Sequence, residues 1–292
     1  MENFNNSPLW NSILAQDVFA QIDLNTFKEE GANTRITQYS SKTHGVLFLK
    51  NLLFQMANKF KKDELSLLHN VPNRHIGGGI GIAYKGISLD LDYLLALEEV
   101  IFLKTYLDSV ESILEIGAGY GRTCHTILSL FPNIKKYYIV DFPKMLELSK
   151  SYLKMASNQE NFSKIQFIPV EEMGNYSHDL TINIDSMQEM DQTTTEAYLD
   201  YIDRFSKGFY SKNTIGKFDP SFCGWPESEG SVLAINSGLL KEKLNIFCPD
   251  EIERAQEKFL SKFTPSKFWS VNKHSATLPW SHYYQALFVK NA

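Results

Sequence analysis

The stretch Ile113-Leu114-Glu115-Ile116-Gly117-Ala118-Gly119-Tyr120-Gly121-Arg122-Thr123 holds the residues whose types and spacing say most about chemistry. An apolar strand ends near an acid, three glycines follow at alternate positions, and a helical pattern begins. Glycines so placed let the backbone turn sharply and approach a ligand with no side chain between them. The free N–H groups of the helix that follows then face polar ligand atoms. A parallel α/β sheet builds a nucleoside-type cofactor site in this way, at the end of its first strand. A dinucleotide fingerprint needs G-x-G-x-x-G, with the third glycine permitting close helix–strand packing. Here Arg122 stands at that third position and the glycine comes one residue early, at Gly121. Glu115 is out of place beside a pyrophosphate and suits a cationic ligand, such as one carrying an amino-acid ammonium and a sulfonium. Asp141 closes the apolar run Lys136-Tyr137-Tyr138-Ile139-Val140, twenty residues beyond Gly121, where a ribose-binding carboxylate belongs in either nucleotide class.

On these residues the chain resembles the class I S-adenosylmethionine-dependent methyltransferases. The resemblance implies that Glu115, Gly117, Ala118, Gly119, Tyr120 and Gly121 hold the methionine part of the cofactor. It further implies that Asp141 binds the ribose hydroxyls, with Phe142 beside it, and that S-adenosylhomocysteine is the product. At the end of a third strand, Val170 and Glu171 would meet adenine, the alternative being a solvated acidic pair opening a helix. Two other readings stay open. One is a nicotinamide-dependent oxidoreductase; the other is a non-catalytic Rossmann-like binding protein.

The segment Asn183-Ile184-Asp185-Ser186-Met187-Gln188-Glu189-Met190 ends a fourth strand and precedes a tyrosine-rich helix. Together with the glycine loop and Tyr-Ile-Val-Asp-Phe-Pro, it is similar to a bacterial family assigned to sugar O-methylation, over about 111–213. The resemblance implies a carbohydrate acceptor, free or linked to a nucleotide or lipid, and places Asn183 at the cofactor. Methyl transfer to a hydroxyl needs alignment and a group that takes the hydroxyl proton. Glu189, Asp185 and His282 are the favoured bases, with His274 and His75 also in reach of the argument. Histidine has the better ordinary pKa, whereas a carboxylate needs burial or a like charge to raise its own. Glu189 has a bland alternative as a helix cap, and His282 as part of a packed strand start. His125 and His178 read as structural. A Mg²⁺ ion between Asp185 and Glu189 is the less favoured reading, because such carboxylate pairs arise by chance; no metal site is assigned. Tyr198 and Tyr201 line the acceptor pocket or pack inward, and Trp225, Trp269 and Trp280 offer stacking faces or core filling.

The elements that must position these groups follow from the pattern. Strands are expected at 112–116, 137–141, 165–170, 180–185 and 208–213, with helices at 122–131, 143–155, 193–207 and 249–262. Runs 267–271 and 283–290 should pair as an antiparallel hairpin. The fold expected is α/β: a Rossmann-like class I methyltransferase sheet of seven strands, the last antiparallel, with a helical N-terminal extension. Residues 1–109 form that extension and 110–292 the methyltransferase domain, with 214–248 an irregular insertion rich in Gly, Pro and Ser. Within the extension, helices are expected at 47–60 and 88–107. Ser88 should cap the second, which turns Leu94, Leu95, Ile101 and Leu103 to the core. A glycine loop at 73–81 lies between them, either a cover for substrate or a plain connection.

Bulk properties bound the rest. The 292 residues are 43% hydrophobic, as in a soluble globular protein, and no apolar run is long enough for a bilayer. Residues 1–6 carry no signal-peptide pattern. Cys124, Cys223 and Cys248 are odd in number and widely spaced, against disulfides or zinc. A reduced, cytoplasmic protein is the simple expectation. The net charge of −5 and the lack of a basic patch argue against a nucleic-acid partner. The expected partner is a small carbohydrate, and a homo-oligomer is compatible with the chain.

Overall fold

A computed structural model describes residues 7–15, 23–28, 40–224 and 228–291. Helices α1 (Pro8–Leu14), α2 (Ser41–Ala57) and α3 (Lys62–Ser66) precede a hairpin of β1 (Gly81–Tyr84) and β2 (Ile87–Asp90) and then α4 (Leu91–Leu107). Strand and helix alternate through β3 (Ser112–Ile116), α5 (Arg122–Leu130), β4 (Lys136–Asp141), α6 (Pro143–Ala156), α7 (Gln159–Ser163) and β5 (Ile165–Pro169). They continue as β6 (His178–Ile184), α8 (Gln192–Phe205) and β7 (Ser206–Thr214). Helices α9 (Glu229–Asn236) and α10 (Pro249–Phe263) lead to β8 (Trp269–Ala276) and β9 (Tyr283–Lys290).

The seven-stranded sheet runs β5-β4-β3-β6-β7-β9-β8. Strands β3 to β7 pair in parallel, and β9 inserts antiparallel between β7 and β8. This is the expected seven-stranded sheet with its last strand reversed. The terminal hairpin forms too, but β8 extends to Ala276, so the loop shortens to 277–282.

Alternation along β3 shows how the layers are built. Ile113 joins a core with Val100 and Leu103 of α4, Cys124 and Ile127 of α5, and Leu146 and Leu153 of α6. Leu114 and Ile116 face the other way, toward Leu199 and Ile202 of α8 and Ala255, Phe259 and Phe263 of α10. Period-two side chains thus place one helical layer on each side. Pro143 starts α6, where its missing N–H is no loss.

The N-terminal extension departs from the expectation of helices alone. Lys85 and Gly86, with φ of 50° and 83°, form the two-residue turn joining β1 to β2. Positive φ at both positions is the geometry whose twist matches a hairpin. Ser88 therefore lies in β2, and Asp90 is the cap of α4, accepting from Tyr93 N–H at 2.9 Å. Leu94 and Leu103 are buried as expected, while Leu95 and Ile101 are partly buried. Tyr93, Leu94 and Leu97 join the core of the extension, and Val100, Phe102, Leu103 and Leu107 join that of the sheet. Helix α4 therefore belongs to both bodies. The expected insertion 214–248 holds α9, a short turn at Pro220–Cys223 and a bridge between Lys217 and Lys243. No helix is long and apolar enough to cross a membrane among the described residues.

Candidate active site

The glycine turn is closed beneath and open above. A Cβ on Gly117 would lie 2.4 Å from Ser186 Oγ, and one on Gly121 would lie 2.7 Å from Leu153 Cδ1. At Gly119 the φ is +58° and nothing stands within 4 Å of such a Cβ. The first and third glycines thus let the loop pack down, and the middle one leaves room over it. Ala118 and Tyr120 are half-buried beside it, Tyr120 with its ring edge-on to Tyr152 at 4.8 Å.

Asp141 sits alongside at the end of the neighbouring strand. Its Oδ2 accepts Gly119 N–H at 3.3 Å and its Oδ1 accepts Phe142 N–H at 2.8 Å. Burial raises the Asp141 carboxyl, and these two N–H groups hold it down in part. Phe142 is 66% exposed. Beyond it, Val170 is half-buried and Glu171 exposed, both in a turn of 3₁₀ helix after β5. Burial raises the Tyr198 phenol, and the charges of Asp141 and Glu171 add to this. That places Tyr198 in the field of both carboxylates, whereas Tyr201 anchors the preceding loop, donating to Gly174 O at 3.1 Å.

Two of the residues expected at the cofactor are bonded within the sheet. Glu115 is 2% exposed and accepts from Tyr137 Oη at 2.7 Å, so it lies within the sheet's core rather than presenting itself openly to a ligand. Burial pushes its carboxyl up to about 7. The amide of Asn183 is consumed by the protein. It donates to Ile116 O at 3.0 Å and Ser186 Oγ at 2.5 Å, and accepts from Met187 N–H and from Asn213 Nδ2 at 2.9 Å. Asn183 therefore ties β3, β6 and β7 together through its side chain.

The loop after β6 and the loop before β9 meet. Asp185 holds a left-handed φ of 62°, rare for a residue with a side chain and typical of strained functional loops. Its N–H donates to Lys212 O at 2.9 Å. Asp185 Oδ1 accepts from Tyr283 Oη at 2.5 Å and from Gln188 Nε2. Gln188 Oε1 in turn accepts Thr214 N–H at 2.8 Å. Burial raises the Asp185 carboxyl while Tyr283 and Lys212 pull it down; Glu189 is raised by burial and by Asp185. The cap of α8 is Asp191, which accepts Thr194 N–H at 2.9 Å, so Glu189 is not needed for that.

His282 packs 5.1 Å from the rings of both Phe218 and Tyr283. Its Nδ1 is buried without a hydrogen-bond partner, and burial lowers the imidazole to about 4. His274 is not brought to this cluster: it lies on β8, beyond β9, and shares a hydrogen bond with Tyr284 Oη at 2.6 Å. His75 is not brought there either. Its loop is tethered through Asn73 Nδ2 to Ala156 O, at the end of α6 leading back toward the amino ends of the strands. His125 meets Tyr93 Oη at 2.7 Å, and His178 bonds Tyr176 O and Thr181 Oγ1, both within the core. Trp269 is buried and donates to Asp203, Trp280 is 45% exposed, and Trp225 lies outside the described residues. The insertion is stitched to the loop: Lys217 Nζ and Ser237 Oγ donate to Gln188 O at 2.9 and 2.8 Å, and Gly238 N–H donates to Met190 O at 2.6 Å.

A buried charge cluster completes the surroundings. Glu99 of α4, with no exposed surface, receives Arg122 Nη2 at 2.7 Å, Lys212 Nζ at 3.0 Å and Thr123 Oγ1 at 3.1 Å. Lys212 also meets Glu98 at 3.2 Å. Burial opposes ionisation of Glu99, but Arg122 and Lys212 prevail and its carboxyl is lowered overall. The cluster ties the start of α5, after the glycine turn, to β7 below Asp185. Sequence reasoning did not reach it, although two adjacent acids inside an apolar helix were a signal. Among the described residues, no group of three or more His, Cys, Asp or Glu is placed to hold a metal ion.

This strand order, with the one reversed strand in the next-to-last position and a glycine turn after the central strand, is the class I S-adenosylmethionine-dependent methyltransferase fold. Solved structures with a similar course include the methyltransferase domain of a bacterial Hen1, CtHen1-C, at 13% identity and TM-score 0.48 over 68% of this chain and 97% of that one. Mitomycin 7-O-methyltransferase is similar at 12% identity and TM-score 0.44, over 68% of this chain. The match spans 57% of the mitomycin enzyme's length. The N-terminal domain of EvdMO1, solved with S-adenosylhomocysteine and D-fucose, is similar at 13% identity and TM-score 0.42, over 80% of this chain and 98% of that one. No family model and no curated protein sequence matches the chain.

Proposed function

We propose that the protein is an S-adenosylmethionine-dependent O-methyltransferase acting on a sugar hydroxyl. The observation that carries this reading is the open space over Gly119 beside the carboxylate of Asp141, whose Oδ2 accepts the Gly119 N–H. The residues fit the cofactor. Gly117 to Gly121 would receive its amino-acid part, Asp141 has unused lone pairs for ribose hydroxyls, and Phe142, Val170 and Glu171 would border adenine. When bound, the cofactor supplies an electrophilic methyl carbon on sulfur.

The protein's share of the chemistry is alignment and proton removal. As the acceptor oxygen bonds to the methyl carbon, the carbon–sulfur bond breaks and the hydroxyl proton must leave. Asp185 is the proposed acceptor of that proton: both of its bonds fall on Oδ1, which leaves Oδ2 for the hydroxyl. Glu189, exposed on the same loop, is positioned to assist. His282, lowered to about 4, is neutral at physiological pH and serves better as a hydrogen-bond acceptor for a sugar hydroxyl than as the base. The sugar assignment draws support from the resemblance of 183–190 and from the exposed ring of Trp280, since aromatic faces stack on sugar rings.

The test has two parts. Calorimetry with S-adenosylhomocysteine should show micromolar-range binding, and its absence would remove the reading. Transfer of a labelled methyl group should then be measured across neutral, nucleotide-linked and lipid-linked sugars; transfer only to a non-carbohydrate acceptor would overturn the sugar assignment.

A further inference from the structure

Arg122 pairs with buried Glu99 at 2.7 Å, and that bond alone ties the start of α5 to α4. Lys212 and Glu98 bring a second pair of charges to the same place, with side chains only 5% and 13% exposed. The desolvation of such a pair largely offsets its attraction, so stability alone does not explain it. What Lys212 adds is connection. Its carbonyl accepts Asp185 N–H at 2.9 Å, at the left-handed residue of the loop after β6. Its Nζ, on the α4 side of the sheet, donates to Glu98 Oε2 at 3.2 Å and Glu99 Oε1 at 3.0 Å. Glu98 Oε1 accepts Leu278 N–H at 2.8 Å, and Leu278 packs against the core of the extension. Leu278 lies in the loop that carries His282 and leads into β9 at Tyr283. The two loops that meet through Asp185 and Tyr283 are therefore both held by Lys212, one at its carbonyl and the other through Glu98. The charges around Asp185 agree with this arrangement. Burial raises its carboxyl, Tyr283 of β9, Lys212 of β7 and Arg122 of α5 lower it, and Glu99 of α4 opposes them, while Glu189 shares the loop.

We propose that Lys212 is a positioning residue of the acceptor side, its carbonyl and its ammonium holding the Asp185 loop and the 277–282 loop in one fixed relation. It touches neither substrate nor cofactor and acts through Asp185, Glu98 and Leu278. Its meaning for the reaction rests on Asp185 as the base. The second buried pair is thus a brace between two loops, and the first, Glu99 with Arg122, is the staple between two helices.

The experiment is amide hydrogen exchange and carboxyl titration by NMR on the full chain, neither of which needs cofactor or acceptor. In the wild type, Leu278 N–H should be protected like the paired amides of β9. Exchange at the rate of an unbonded loop amide overturns the proposal without recourse to any variant. Glu98→Gln keeps an acceptor for Leu278 but loses the bond to Lys212, and Lys212→Met loses that bond from the other side. Each should speed Leu278 exchange roughly tenfold, the scale of one hydrogen bond to a charged group. Lys212→Arg should restore the protection. In Lys212→Met the Asp185 carboxyl should also titrate at higher pH than in the wild type, and in Lys212→Arg it should return, which a mere staple of α4 to the sheet would not produce. Wild-type exchange at Leu278 in either variant overturns the proposal, and so does an unmoved Asp185 titration in Lys212→Met. An acid limb of kcat/KM that follows another group is a separate result: it removes Asp185 as the base and leaves the exchange measurements standing.

Discussion

Tyr283 Oη donates to Asp185 Oδ1 over 2.5 Å, joining the first residue of β9 to the loop that ends β6 across 98 positions of sequence. Gln188 Nε2 reaches both, bonding Asp185 and lying 3.1 Å from Tyr283 Oη. The proposed base is thus oriented by a strand that is distant in the chain and adjacent in the sheet.

Tyr283→Phe should therefore shift the proposed chemistry and spare the cofactor. Tyr283 lowers the Asp185 carboxyl, so its loss raises that group. An ionised base is lost as pH falls through its pKa, so the acid limb of kcat/KM should move to higher pH. Affinity for S-adenosylhomocysteine should stay unchanged by calorimetry. An unmoved acid limb would place the base elsewhere.

Asp141→Ala should weaken S-adenosylhomocysteine by roughly 100-fold or more, the scale of losing two charge-assisted hydrogen bonds. The variant also frees the Gly119 N–H, so circular dichroism must show an intact fold. Retention of wild-type affinity in an intact fold would remove Asp141 from the cofactor site.

The glycines separate stability from binding. Gly121→Ala combines a left-handed φ of +94° with a contact 2.7 Å from Leu153, and should cost about 3 kcal/mol in urea unfolding. Gly119→Ala meets no atom within 4 Å and should cost only about 1 kcal/mol, while its methyl occupies the space over the turn and blocks the ligand. Equal effects of the two variants on both measurements would contradict the open-topped turn.

Much of this frame was legible because the sheet strands are short apolar runs punctuated by glycine or acid. Both ends of β3 fall where the pattern put them, and the acids Asp141 and Asp185 mark strand ends in sequence and in space. The β1–β2 hairpin was hidden because the glycines before it read as one loop, although Ile82, Tyr84, Ile87 and Leu89 alternate around Lys85-Gly86. The side-chain partners of Asn183, Ile116 and Asn213, become visible only with the register. The same holds for Glu99, whose partner Lys212 lies 113 residues away.

Glu99→Ala should destabilise the fold by about 3–5 kcal/mol, because it leaves Arg122 and Lys212 buried without their shared carboxylate. The native carboxyl is lowered, so its contribution is present above the unfolded pKa and is lost as pH falls through the folded value. The gap between wild type and variant in urea should accordingly narrow in acid. A gap that widened there would contradict the assigned charges.

His178 gives a second pH signature of opposite origin. Burial lowers it from 6.5 to about 4 while Nδ1–H donates to Tyr176 O and Nε2 accepts from Thr181. Between those values the unfolded chain binds a proton that the folded protein refuses, so acid favours unfolding. At about pH 5 the loss amounts to about 2 kcal/mol. His178→Gln should remove that increment from the stability difference between about pH 7 and pH 5. An identical pH dependence in the two proteins would show that His178 titrates normally.

The reversed strand has a consequence for assembly. β8 precedes β9 in the chain yet hydrogen-bonds to the sheet only through it, so one edge of β7 stays unpaired until β9 arrives. Tyr283 enters with that strand. The glycine turn and Asp141 rest on β3 and β4, which meet without it. A molecule whose sheet has not yet closed therefore carries the proposed cradle for the methyl donor but lacks the phenol that aims the base. On the proposed reading, transfer requires the closed sheet, whereas the cradle for the donor does not.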